Sequence, residues 1–148
     1  MDAGDVRGQT FAHLFGAYRR FLQACCRCVD RTERPDPRLT SHLRLESLIT
    51  TIFPSMAVAC WTGDEMRMYR AIHQTLGRAD GIYHHRLDPW KRRLRLDRGR
   101  LFMDALDNYR LYRALKINVE ALVVAVTRHP KQNFHRLSPL ACNVAYEI

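Results

Sequence analysis

Apolar positions recur at helical spacing over much of the chain. Phe11, Leu14, Phe15, Tyr18, Leu22, Cys25 and Val29 fall on one stripe, with Arg20, Gln23, Arg27 and Arg31 opposite. Thr10 fits the start of this first amphipathic helix, which leaves residues 1–9 as a frayed leader. Pro35 and Pro37 mark a loop from Thr32 to Arg38. A second helix is expected from a cap at Ser41, with Leu45, Leu48, Ile49, Ile52 and Phe53 on one face and Pro54 as its end. Residues 55–61 read as a buried turn. Thr62 to Glu65 fits a capping box, after which Met66, Tyr69, Ile72, His73 and Leu76 share a face and Gly77 supplies a stop.

Past residue 78 the pattern weakens. Asp88 and Pro89 fit a cap and first helical position. Residues 93–102 fit either a hairpin turning at Asp97-Arg98-Gly99 or two short helices. From Leu101, a broad face of Leu101, Phe102, Ala105, Leu106, Tyr109 and Tyr112 predicts a helix that Asn118 interrupts. Val119 to Thr127 is apolar nearly all round, so it is expected to be the most buried element, although its valines also suit a strand. The tail 131–148 reads as irregular. The fold class is all-α: one domain over residues 1–148, a compact bundle of about five helices around Val119–Thr127, with room for one small β-hairpin near Asp97.

Composition narrows the functional classes. The formal net charge is +9, and only Lys91, Lys116 and Lys131 of the 24 basic residues are lysines. Arginine suits phosphate, carboxylate and flat rings, but GC-rich coding produces the same skew. The five cysteines come with no secretory signal. The expectation is therefore a reducing compartment, cytoplasm or nucleus, and no disulfide framework. The uncharged run from Ser47 to Gly63 is interrupted by Pro54 and reads as core, not as a membrane span. No phosphate-cradling glycine loop, zinc-protease helix, nucleophile elbow or calcium loop occurs in the sequence. An enzyme is not expected.

Four constellations remain. Cys25 and Cys28 form a C-x-x-C pair that could join His129 and His135 around zinc, against the plainer reading of buried thiols. The stretch 86–100 sets Arg86, Lys91, Arg92, Arg93, Arg95, Arg98 and Arg100 around Trp90, against only Asp88 and Asp97. Such a stretch neutralises phosphates and stacks bases, docks an acidic partner, directs nuclear import, or is a solvated face. His84-His85 has the right pKa range for proton transfer but no fixed partner, and reads as a loop pair. Asp104 and Asp107 could act together, but are expected to pair with Arg100, Arg110 and Arg113.

The Arg-rich, Lys-poor composition resembles that of small accessory proteins of GC-rich DNA viruses. The functional expectation is a non-enzymatic regulatory or adaptor protein inside the cell, acting on another, acidic protein through an apolar patch flanked by arginines. The alternative is nucleic-acid binding through 86–100.

Overall fold

The computed structural model describes residues 3–29, 42–78 and 81–129. Helix α1 (Ala3–Val29) lies at the centre, packing against three other helices: α2 (His42–Ile52), α3 (Asp64–Arg78) and α4 (Ala105–Arg128). Its expected stripe is buried at Phe11, Phe15, Tyr18, Leu22, Cys25 and Val29. Ala17, Phe21, Cys26 and Cys28 are buried as well, so the helix is enclosed on more than one side. The helix starts before Thr10: it is already formed at Ala3, and the expected leader is helical from that residue on. Asn108 of α4 helps hold this first turn, its Nδ2 donating to the Arg7 carbonyl at 3.1 Å.

Helix α2 buries Leu45 and Ile49, and Phe53 follows it into the core. Pro54 stops it as expected, so the uncharged run folds as a helix end, a turn and then a five-residue π-helical turn (Val58–Thr62). No helix among the described residues is long and apolar enough to cross a membrane. The proposed Ser41 cap and the loop before it lie outside the described residues. Helix α3 begins at Asp64, and the Gly63 carbonyl accepts from the Arg67 amide at 2.9 Å. The capping box expected at Thr62 does not form, because the π turn continues through Thr62 and Glu65 is engaged elsewhere.

A 3-10 helix (His85–Arg93) follows, capped by His84 and not by Asp88. The His84 Nδ1 accepts from the Arg86 amide at 3.1 Å, and Pro89 sits inside the 3-10 turn. The choice at 93–102 resolves as a hairpin: β1 (Leu96–Asp97) pairs antiparallel with β2 (Arg100–Leu101). Arg98 and Gly99 both have positive φ, 51° and 77°, the signature of a two-residue turn whose twist matches the strands. Residues 81–83 lie alongside β2, with the Leu101 amide donating to the Gly81 carbonyl at 2.7 Å and Ile82 bridged to Arg100. Gly81 itself has φ 79°, which a side chain would strain.

Helix α4 runs unbroken through Asn118. Its inward face is Leu111, Leu115, Asn118, Val119, Leu122 and Val126. This corrects two expectations. Leu106 and Tyr109 point outward, and the 119–127 segment is not the most buried element, since Val123 and Val124 are about half exposed. Apolar composition all round does not bury a helix that packs, among the described residues, against neighbours on one side only. Here those neighbours are α1 and the π turn. The architecture is an all-α bundle carrying one small hairpin, centred on α1.

Asn118 has a partner rather than a breaking role. Its Nδ2 donates to the Ala59 carbonyl at 2.9 Å and to the Tyr18 hydroxyl at 3.3 Å, while that hydroxyl donates to the Cys60 carbonyl at 2.7 Å. The wide π turn thus has two of its carbonyls paired by side chains of α1 and α4.

Tyr18→Phe leaves the buried Cys60 carbonyl without its donor and is expected to cost about 1–3 kcal/mol. Leu122→Ala should cost about 2–5 kcal/mol, whereas Leu106→Ala should stay within about 0.5 kcal/mol. Denaturant unfolding of the three variants checks both the polar contact and the orientation of α4.

Candidate functional site

The basic stretch is less free than its composition suggests. Arg93 donates to Glu65 Oε2 at 2.9 Å, and Tyr69 donates to the other oxygen of that carboxylate at 2.8 Å. Arg95 pairs with Asp104 and lies 3.5 Å from Asp107. Lys91 sits 5.4 Å from the centre of the Tyr83 ring. Trp90 Nε1 donates to Asp64 Oδ1 at 3.1 Å. Arg92, Arg98 and Arg100 are exposed. The acids that hold this stretch come from the start of α3, nearly thirty residues earlier, and from the start of α4, just after the hairpin.

Asp104 and Asp107 form a reciprocal cap on α4. Asp107 N donates to Asp104 Oδ1 at 2.8 Å, and Asp104 N donates to Asp107 Oδ2 at 2.9 Å. Their cationic partner is Arg95, not the expected Arg100, Arg110 or Arg113. The Asp107 amide, then Arg95, bring the Asp104 carboxyl down to about 2. Burial and the neighbouring Asp104 push Asp107 up instead. Capping and charge pairing account for both acids.

Three of the four zinc candidates, Cys25, Cys28 and His129, fall among the described residues. Cys25, Cys26, Cys28 and Cys60 are buried thiols in the core. Burial and the neighbouring thiols push Cys25 far up, and burial takes Cys60 to about 11, as for thiols enclosed in an apolar core. His129 packs edge-on to Phe53, with ring centroids 6.1 Å apart, and His135 lies outside the described residues. Among the described residues no group of three or more metal-binding side chains converges.

Two surface features stand out instead. The first is the outward face of α4. Leu106, Tyr109, Ile117, Val123 and Val124 are 46–61% exposed there. Arg110, Arg113, Lys116 and Arg128 flank them against Glu120, and the Arg113 guanidinium lies 6.0 Å from the Tyr109 ring centre.

The second is an open cleft of about 260 Å³ between α2, α3 and the 3-10 helix. Glu46, Arg67, Arg70, Gln74, Arg86 and Trp90 line it. Arg70 stacks 4.5 Å from the centre of the buried Trp61 ring and meets Glu46 at 3.5 Å. Burial lowers its pKa, Glu46 offsets that, and the charges of Arg67 and Arg19 lower it further. Arg86 donates through Nε to His84 Nδ1 at 3.1 Å, while its Nη1 is buried with no hydrogen-bond partner. Two donors on His84 Nδ1 require that nitrogen to be unprotonated. Desolvation, then the charges of Arg86 and His85, lower the His84 pKa accordingly.

Sequence reading placed Arg86 and Trp90 in a candidate patch but missed Arg67, Arg70, Gln74 and Glu46. The available signal was the spacing of Arg67, Arg70 and Gln74, three and seven residues along one face of α3. Comparison with known proteins finds no matching family model, curated protein or solved structure.

His73 contacts Phe15 with ring centroids 5.1 Å apart and bonds the Ala12 backbone, as expected for a core histidine. Burial and the Arg19 charge hold its pKa below the ordinary 6.5, so the unfolded chain takes up the proton first. Its contribution is complete above the unfolded pKa and is lost as pH falls through that value towards the folded one. Unfolding free energy should therefore drop as pH is lowered through 6.5 towards the folded value. His73→Gln should flatten part of that slope in denaturant melts across the range.

Proposed function

We propose that this is a non-enzymatic regulatory or adaptor protein, working in the cytoplasm or nucleus, that docks an acidic amphipathic helix of a partner protein on the outward face of α4. The observation that carries this reading is the exposed apolar stripe. At 100° per residue Leu106, Ile117 and Val124 align within about 20° of one another. Arg113 lies beside them, opposite the buried Leu115 and Leu122. Arg110, Arg113 and Glu120 interleave with the stripe on the same face, and such a mixture of exposed apolar and charged side chains is the composition of a helix-docking surface. The four cations around it, against Glu120 alone, favour carboxylates on the partner's rim.

Nucleic-acid binding through 86–100 has less support, because Arg93 and Arg95 are already paired with carboxylates. Among the described residues, the cations of the stretch not held by a carboxylate are Arg86, Lys91, Arg92, Arg98 and Arg100, spread over the 3-10 helix and the hairpin.

Ile117→Asp combined with Val124→Asp is the direct test. Both side chains are exposed, so the melting temperature should hardly change. Affinity capture from cell extract should lose its partner by about 30-fold or more, the scale of an interface hot spot. Arg98→Glu in the hairpin should leave capture intact. An unchanged partner set in the α4 variant, with loss in the Arg98 variant, would move the interface to the basic stretch.

A further inference from the structure

We infer that the cleft between α2, α3 and the 3-10 helix is a binding site for a phosphate monoester carrying a flat ring, of the nucleoside monophosphate type. It is lined by no residue of α4 and so is separate from the docking face.

The argument starts from charge. Three guanidiniums line the cleft against one carboxylate, and that carboxylate is taken up by Arg70. Glu46 therefore pairs with one of the three cations, and among the described residues no carboxylate pairs with Arg67 or Arg86. Arg67 is exposed, and Arg86 holds Nη1 without a hydrogen-bond partner. A buried donor without a partner costs free energy that an incoming acceptor recovers after a small rotation of the guanidinium. Phosphate offers the geometry for this, since its oxygens accept paired N–H bonds from arginine forks.

The cleft is also fixed in shape. Arg70 is held by the Trp61 ring and Glu46, Arg86 by His84, and Trp90 by Asp64. Three of the lining side chains are thus held before an anion arrives, and the ordering left to binding is that of Arg67 and the rotation of Arg86. Trp90 supplies a flat wall next to the cations, and a planar ring stacks on it favourably. The volume, about 260 Å³, lies just below that of drug-sized pockets. It accommodates one phosphoryl group with a single ring system partly in solvent.

The full-length chain should be titrated with adenosine monophosphate, inorganic phosphate and adenosine at low ionic strength. Calorimetry and tryptophan fluorescence supply two readouts, as Trp90 is one of only two tryptophans. Adenosine monophosphate should bind saturably, inorganic phosphate about tenfold more weakly, and adenosine more weakly still. Arg67→Gln and Arg86→Gln should each weaken nucleotide binding by about tenfold or more. Trp90→Leu should reduce the nucleotide to the affinity of phosphate. Arg98→Gln, outside the cleft, should leave both affinities unchanged. Arg67 is exposed, so its variant tests binding without risk to folding. The inference is overturned by no saturable binding up to about 10 mM, by nucleotide binding no better than phosphate or adenosine, or by equal loss in the Arg98 variant.

Discussion

The contact among Tyr18, Asn118 and the π turn organises the rest of the molecule. A π turn breaks the regular i to i+4 pattern and leaves backbone groups to be paired in the core. Here the carbonyls of Ala59 and Cys60 receive donors from Asn118 and Tyr18, one from each of two different helices. Each partner meets a need that the others create. Without the turn, the amide of Asn118 and the hydroxyl of Tyr18 would be buried polar groups facing an apolar core. Without the side chains, the turn would bury unpaired carbonyls at about 1–3 kcal/mol each.

That constraint also sets how α4 is rolled about its axis. Asn118 must face α1 and the turn, so positions close to it on the helix circumference, Leu111, Leu115 and Leu122, go inward with it. Positions on the far side, Leu106, Ile117 and Val124, are then forced outward although they are apolar. The exposed stripe is thus a consequence of a polar contact in the core. A roll that buried the stripe would expose Leu115 and Leu122 and strand the Asn118 amide. The same turn places Trp61 under Arg70, so the back wall of the cleft derives from the same irregularity.

The fold was legible in the sequence where one face was apolar and the opposite face charged. The stripe of α1 and the faces of α2 and α3 follow directly from spacing. The hairpin was one of two readings at 93–102, and positive φ at Arg98 and Gly99 decides it. Legibility failed where a residue's role depends on a distant partner. Asn118 has the composition of a helix breaker, and only the π turn, some sixty residues earlier in the chain, makes it a core residue. The basic stretch failed partly for the same reason, since Glu65 compensates Arg93 across the fold; Asp104 and Asp107 were near in sequence, but the hairpin that turns Arg95 onto them was only one of two readings. Arg67 and Arg70 looked like the solvated side of an amphipathic helix. What distinguishes them is a facing wall, which no local pattern encodes.

The arginine excess divides accordingly. At Arg70 the flat guanidinium does what a lysine ammonium cannot: it lies against the Trp61 ring while its edge reaches Glu46 and the Trp61 carbonyl. At Arg86 the donor to His84 is Nε, a position along the side chain that lysine lacks. Arg95 lays its guanidinium 5.9 Å from the centre of the Phe102 ring while Nη2 reaches both acids of the α4 cap. At Arg92, Arg98 and Arg100 the surrounding structure makes no use of that plane, and a lysine would supply the same charge. A skew in codon usage explains the second group without any selection. It leaves the first group unexplained, because there the geometry consumes the properties that separate arginine from lysine. Two of those three positions, Arg70 and Arg86, line the same cleft, so the chemistry specific to arginine is drawn together there.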